Sequence, residues 1–180
     1  MQEKCFWCAV QVMARHEMAV AKLFSVFEYQ YFVPTYQSRR RWSDRYKTVE
    51  VPLFPGYIFS RVQKNIVSGI LRTPGVIRVV GFNGNISEIS DAEVSALQQV
   101  TASGREVNPV EYFNLGSKIR VKKGPLTGVV GTLVSRHNHY ELVLSVDLLM
   151  KSASVIVDVS EVEETKENKM MCMPQSRLLQ

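Results

Sequence analysis

Several things are scarce or missing in this 180-residue chain, and each absence removes a class of protein. No apolar run approaches the roughly 20 residues that a bilayer-spanning helix needs. The opening "MQEKCFWCAV" has no apolar core of signal-peptide length and no small-residue cleavage site. A cytoplasmic protein without membrane partners is the expectation. Cysteine is rare: Cys5, Cys8 and Cys172. "CFWC" has C-x-x-C spacing, but a redox pair opens a helix after a strand, and this one begins an apolar run that reads as the strand itself. Structural zinc takes four ligands, and no second cysteine pair exists. Of the three histidines, His137 and His139 alternate with Glu141 in "RHNHYE". That spacing could place three ligands on one strand face, but the stretch reads as a hairpin turn. No metal and no cofactor are expected. No Ser/His/Asp, Cys/His or paired-carboxylate set stands out, so the chain reads as a non-enzyme.

What is present is a lopsided charge. Residues 1–105 hold thirteen Lys/Arg against eight Asp/Glu, and residues 106–180 hold nine of each. The whole net charge of +5 therefore lies in the first part. Such asymmetry suits a nucleic-acid-facing or acidic-partner-facing unit, and equally a solvated face.

Periodicity divides the chain in the same way. "FWCAVQVM" reads as a strand, and "RHEMAVAKLFSVFEY" as a helix with a stripe of Val20, Leu23, Phe24 and Phe27. "YFVPTYQSRRRW" and "YKTVEVPLFPGYIFSRV" read as the arms of a long hairpin, with "RRRWSDRY" as its tip and Pro34 marking an irregular strand. A short helix is expected over 65–72, a strand over "GVIRVVGF" and a turn at "NGN". Ser90 and Glu93 form a capping box before a helix whose apolar face is Val94, Leu97 and Val100. "TASGREVNP" is breaker-rich and reads as an interdomain linker. Beyond it "KIRVKK", "GVVGTLVSR", "YELVLSVDLL" and "SASVIVDV" are closely spaced strands, as in a small barrel. In "RVKKGPLTGVVGTLV", Gly124-Pro125 marks a turn, and Gly128 and Gly131 allow the next strand to bend and its backbone to approach closely. A phosphate-cradling loop would instead open a helix with a following Lys-Ser/Thr pair.

"LGSKIRVKKGPLTGVVGTLV" resembles the KOW motif of small SH3-like barrels. "FWCAVQV", "VPLFPGYIFSRV", "LRTPGVIRVVGFNG" and "ISDAEV", in that order, are similar to the NusG amino-terminal domain. "RRRWSDRYKTVEVPLFPGYIFSRV" looks closest to the specialised NusG paralogs, among them RfaH and the UpxY-type antiterminators of capsular polysaccharide operons. The resemblance implies an α+β NusG-type domain, an antiparallel sheet with helices, over 1–105. A linker over 106–113, an all-β SH3-like KOW barrel over 114–163 and a disordered tail over 164–180 follow. It also implies a monomeric transcription elongation and antitermination factor. An apolar depression of Trp7, Phe54, Pro55, Tyr57 and Phe82 would grip the clamp helices of RNA polymerase. A basic hairpin tip of Arg39, Arg40, Arg41, Trp42, Arg45 and Lys47 would touch DNA or nascent RNA. The barrel would dock ribosomal protein S10 or other factors through Pro125 and Leu126. Leu126 stands where the general factor commonly has an aromatic, and "NIVSGILR" lacks the His and Thr cluster with which RfaH faces the second polymerase pincer. A ribosome-associated or RNA-binding KOW protein is the alternative; it accounts for the barrel and the charge but not for "LFPGYIF" and "TPGV".

Overall fold

The computed structural model describes residues 5–41, 45–110, 112, 116–136 and 139–165. The elements are β1 (Phe6–Val12), α1 (Glu17–Val26), β2 (Gln30–Phe32), β3 (Thr35–Arg41), β4 (Tyr46–Pro52), β5 (Tyr57–Val62), α2 (Val67–Leu71), β6 (Val76–Val79), β7 (Gly81–Phe82), β8 (Asn85–Ile86) and α3 (Asp91–Ala102). They continue with β9 (Val107–Val110), β10 (Ser117–Val121), β11 (Val130–Arg136), β12 (His139–Val146), β13 (Lys151–Val157) and β14 (Val162–Glu164).

The first sheet has the order β2-β5-β1-β6, with β1 antiparallel to both neighbours. Alternation along β1 and β5 sends side chains to two cores. Phe6, Cys8, Val10, Val12, Ile58 and Val62 pack with Val20, Ala21 and Phe24 of α1 and Ile70 of α2. Trp7, Ala9 and Phe59 face the other way and join Val94, Leu97 and Val100 of α3. The expected α1 stripe is displaced three residues towards the helix start: Glu17, Val20, Ala21 and Phe24 are buried, whereas Phe27 lies past the helix end and is exposed. The capping box forms as the sequence suggests, Glu93 N donating to Ser90 Oγ at 3.2 Å and Ser90 N to Glu93 Oε2 at 3.1 Å. Asn83 and Gly84 both take positive φ in the tight turn between β7 and β8.

The second sheet has the order β14-β10-β11-β12-β13-β9. Its inner face (Ile119, Val121, Leu142, Leu144, Val146, Ala153, Val155) belongs to the same apolar cluster as α3 and the second face of the first sheet. The sheets are thus joined through α3. Gln99 on that helix donates its amide to the carbonyls of Pro125 and Thr127, both at 3.0 Å.

Four strands of this sheet lie where the sequence places them, and two do not. Val107–Val110, inside the expected linker, pairs with β13, and Val162–Glu164 pairs with β10. Thr165 donates from both N and Oγ1 to the Lys118 carbonyl. The tail beyond it, Trp42 at the hairpin tip and His137 lie outside the described residues.

The glycine pattern of 124–131 now has a geometric account. Gly124 and Gly128 take φ of 82° and 89° in the turn. Gly131 has ordinary backbone torsions, but a Cβ there would meet Val143 O and Leu142 Cδ1 at 2.7 Å. The close crossing of β11 and β12 needs the missing side chain. Gly131→Ala is therefore expected to cost the full chain about 1–3 kcal/mol, as overpacked sites do. Urea denaturation measures it, and an unchanged midpoint would show that the crossing relaxes freely.

Candidate functional surfaces

The candidate residues fall in three places, and two of the three sets are divided between surface and core. Of the five expected in the apolar depression, Trp7 and Phe54 are core residues, 6% and 1% exposed. This corrects the expectation that Trp7 and Phe54 line an apolar depression open to a partner. For Phe54 the Pro-Gly break that follows it is the reason. Leu53 N bonds to Pro34 O, Gly56 takes φ of 83°, and Gly56 N donates to the buried Glu17 carboxylate at 2.7 Å. The turn is folded back onto the sheet, and Phe54 meets Phe59 edge-on at 5.9 Å. Pro55 is exposed, Tyr57 is half-buried, and Phe82, on the short β7–β8 hairpin, is 76% exposed. Glu17 is the residue that sequence reasoning misses here. Its partner is 39 positions away, and a glutamate in a helix's first turn is unremarkable.

The second surface is the β3–β4 hairpin, a separate two-stranded ribbon. Its register pairs Arg39 with Thr48, Arg40 with Lys47 and Arg41 with Tyr46. Directly opposed residues share a face. Arg39 and Arg41 therefore lie with Tyr46, and Lys47 lies on the reverse. Arg39 Cζ stands 4.6 Å from the centroid of the Tyr46 ring. The candidate cations carried by the two strands are thus divided between two faces, a division that no run of arginines reveals without the register.

On the second sheet, Pro125 is exposed but Leu126 is fully buried. The turn from Pro125 to Thr127 lies against Gln99, so Leu126 is a core residue here. The segment following α3 is clasped as well. Arg105 bonds both oxygens of Glu161, at 2.7 and 2.8 Å, and the Ile156 carbonyl at 3.1 Å. The Arg105 hydrogen bond is the main cause holding the Glu161 carboxyl below its ordinary value, and the reciprocal bond raises Arg105. The sequence shows none of this, because the partners are 56 positions apart.

Cys8 is buried in β1, its thiol donating to Ser60 O at 3.5 Å, and burial pushes it up to about 12. A thiol so far from ionisation is inert at neutral pH. Among the described residues no group of three or more His, Cys, Asp or Glu could hold a metal ion, and no helix is long and apolar enough to cross a membrane. The surfaces on offer are an exposed aromatic hairpin, a cationic ribbon and a turn pressed against α3. They define an α+β protein equipped for macromolecular contact.

Comparison with known proteins gives that class its family. The family model described as "Transcription termination factor nusG" matches residues 6–98, just over half of the chain. This chain belongs to the NusG family. It is 25% identical over 173 residues to the transcription termination/antitermination protein NusG of Lactococcus lactis, covering 88% of this chain and 92% of that protein. It is 26% identical over 121 residues to NusG of Helicobacter pylori strain J99, covering 66% and 69%. Among solved structures it is similar to one described as "Domain interaction in Thermotoga maritima NusG", with a TM-score of 0.54, 19% identity, and coverage of 91% of this chain and 98% of that one.

Two measurements check the geometry. Phe82→Asp should fold like the parent, whereas Phe54→Asp should lose more than the about 3–5 kcal/mol that deleting a buried phenylalanine costs, because it also buries a carboxylate. Thermal denaturation of the two variants separates them, and equal stabilities would contradict the placement of Phe54. The clasp should be acid-sensitive. A folded carboxyl held low contributes stability above its unfolded value, and that contribution is lost as the pH falls through the folded value. Arg105 keeps its charge throughout. Protection factors of the β9 amides should therefore drop below the ordinary glutamate value of 4.5 and not around neutrality. Glu161→Gln should remove the dependence, and a flat wild-type profile would mean the pair does not hold β9.

Proposed function

We propose that this NusG-family transcription factor is a specialised paralog of the RfaH/UpxY kind, acting in the cytoplasm as a monomer to promote processive transcription of specific operons. The observation that carries the reading is the β3–β4 ribbon. It displays Arg39, Arg41 and Tyr46 together on an exposed face, in a chain whose net positive charge lies within residues 1–105. The exposed aromatic hairpin serves polymerase. Phe82, Tyr57 and Pro55 meet the clamp helices, while Trp7 and Phe54 support that surface from beneath. A protein that favours the closed clamp shifts its equilibrium only by the difference in affinity for the two clamp states. The ribbon, through Arg39, Arg40, Arg41, Arg45 and Lys47 with Trp42, contacts DNA or nascent RNA beside the polymerase and selects the operons served. Strands β10–β14 form the KOW barrel, and the turn at Pro125, with Leu126 buried beneath it, is its partner-docking site, for S10 or another factor. Because Gln99 holds that turn, docking requires α3 to release it. The chemistry is binding throughout, with no catalytic residue.

The test uses reconstituted elongation complexes paused at candidate operon leaders. Wild-type protein should bind core polymerase and be recruited at its own operon. Phe82→Asp should weaken polymerase binding by roughly tenfold or more, as loss of a desolvated aromatic anchor does. Arg39→Ala/Arg41→Ala should retain polymerase binding and lose operon-specific recruitment. Its salt dependence should be shallower by about 0.7–0.9 for each phosphate that is no longer neutralised. Recovery of ribosomes and no polymerase from lysate would favour the ribosome-associated reading. Unchanged recruitment with an unchanged salt slope would move operon selection away from the ribbon.

A further inference from the structure

Helix α1 is apolar on the wrong side as well as the right one. Glu17, Val20, Ala21 and Phe24 turn inward. Successive helical residues rotate by about 100°, so the outward line falls on Met18, Ala19, Lys22 and Val26. All four are exposed, Met18 by 50% and Val26 by 74%. A solvated helix face carries mostly charged and polar groups, and a helix that is apolar all round is normally covered. This outer line holds one charge, Lys22. Exposed Met13 extends it past the helix start, and exposed Phe27 past the end. The surrounding charge is one-sided. Arg15 and Arg72 are exposed, and Arg72 precedes the turn that lays Gly75 against His16 and Val20 at the start of the helix. Of the acids, Glu17 is buried on Gly56 N, and Glu28 stands beyond the far end. Among the described residues Lys22 forms no ion pair.

We propose that this outer face of α1 docks an acidic amphipathic helix of a partner protein, its apolar side on Met18 and Val26 and a carboxylate against Lys22. The first sheet separates α1 from Trp7 and Tyr57, so the inference goes beyond the proposed function and does not depend on it. The backbone of a helix is bonded within itself, so a partner cannot extend it as a strand would and must use side chains. Met18, Lys22 and Val26 form an i, i+4 ridge, which fits the groove of another helix. Covering the ridge takes the Lys22 ammonium out of water, which is costly unless a carboxylate meets it. Arg15 and Arg72 add attraction for acidic residues at the same end. A second copy of this chain, packed about a two-fold axis through the ridge, would set Lys22 against its own counterpart. A phosphate backbone would meet the cations and leave Met18 and Val26 uncovered.

The experiment titrates the full chain with three labelled helical peptides, followed by fluorescence anisotropy and by amide chemical shifts. The first has leucines along one side, flanked by glutamates. The second keeps the leucines and has lysines for glutamates, and the third keeps the glutamates and has glutamines for leucines. The first alone should bind, and it should shift the amides of α1. Lys22→Glu should weaken it about tenfold or more and create binding of the lysine peptide. Val26→Asp should weaken the first peptide about tenfold or more. Both variants change exposed side chains and should melt like the parent. If no peptide binds, or the first binds without shifting α1, docking on this face is refuted. Equal binding of the glutamate and lysine peptides, or glutamate binding untouched by Lys22→Glu, overturns the acidic partner. Single-stranded DNA, phosphatidylglycerol vesicles and sedimentation of the chain alone are tested in parallel. Binding or self-association that Val26→Asp abolishes there would replace the partner helix by nucleic acid, a lipid surface or a second copy.

Discussion

Everything in this molecule is arranged around a sheet that has to be covered on both sides. β1 is its central strand, and alternate side chains enter two different cores: Cys8 and Val10 on one side, Trp7 and Ala9 on the other. A strand apolar on both faces cannot leave either to water. α1 and α2 close the first side. The second is closed by α3 together with the strand-rich carboxy-terminal half, in one continuous cluster that runs from Trp7 and Phe59 through Leu97 to Leu144. That continuity explains why aromatics that look like contact residues in the sequence turn out to be structural. On the second side, the sheet, α3 and the second sheet compete for the same apolar surface, and Trp7 and Phe54 are used up inside it.

The consequence for function is a division of labour among neighbouring residues. "LFPGYIF" contains residues of three kinds: Phe54 and Phe59 in the core, Pro55 outside, and Tyr57 at the boundary. A substitution at Phe54 reports on folding, and one at Phe82 reports on surface contact, although the family resemblance places both on one depression. The same holds at "GPLTG", where Pro125 is outside and Leu126 inside. Gln99 ties that turn to α3, so the sheet carrying the turn and the helix beneath it are coupled. Any partner that takes the turn must break two hydrogen bonds to a side-chain amide, a modest cost that leaves exchange open.

Local signals in the sequence were reliable here because their partners are close. The capping box spans three residues and forms as written, and the Asn83-Gly84 turn joins strands of two residues each. Gly131 was legible for a different reason. A glycine within a valine-rich strand means that another backbone comes near, and the ladder supplies it. The long-range pairs could not be read. Glu17 to Gly56 and Arg105 to Glu161 join residues 39 and 56 positions apart. β9 and β14, four and three residues long, carry almost no pattern of their own. They are strands because β13 and β10 offer them an edge, and an edge left bare is a liability that a chain tends to cover with whatever segment is at hand. "TASGREVNP" reads as a linker because its composition is that of one, yet its last residues are recruited to the sheet and fixed there by a bidentate ion pair.

The basic run of the hairpin was legible as a charge and illegible as a surface. Composition says only that five cations fall within nine residues; the register decides which of them act together. Because opposed residues share a face, Arg39 and Arg41 are bound to the side of Tyr46, and a one-residue slip would set them against the partly buried side of Val49 and Val51. The slip is resisted by the inner face itself. Tyr36, Ser38, Val49 and Val51 are half-covered, and moving them outward would expose their apolar surface while burying guanidinium groups. A modest apolar preference on one side of the ribbon thus fixes a cationic and aromatic display on the other. That exposed face is held in place by residues on the reverse of the ribbon.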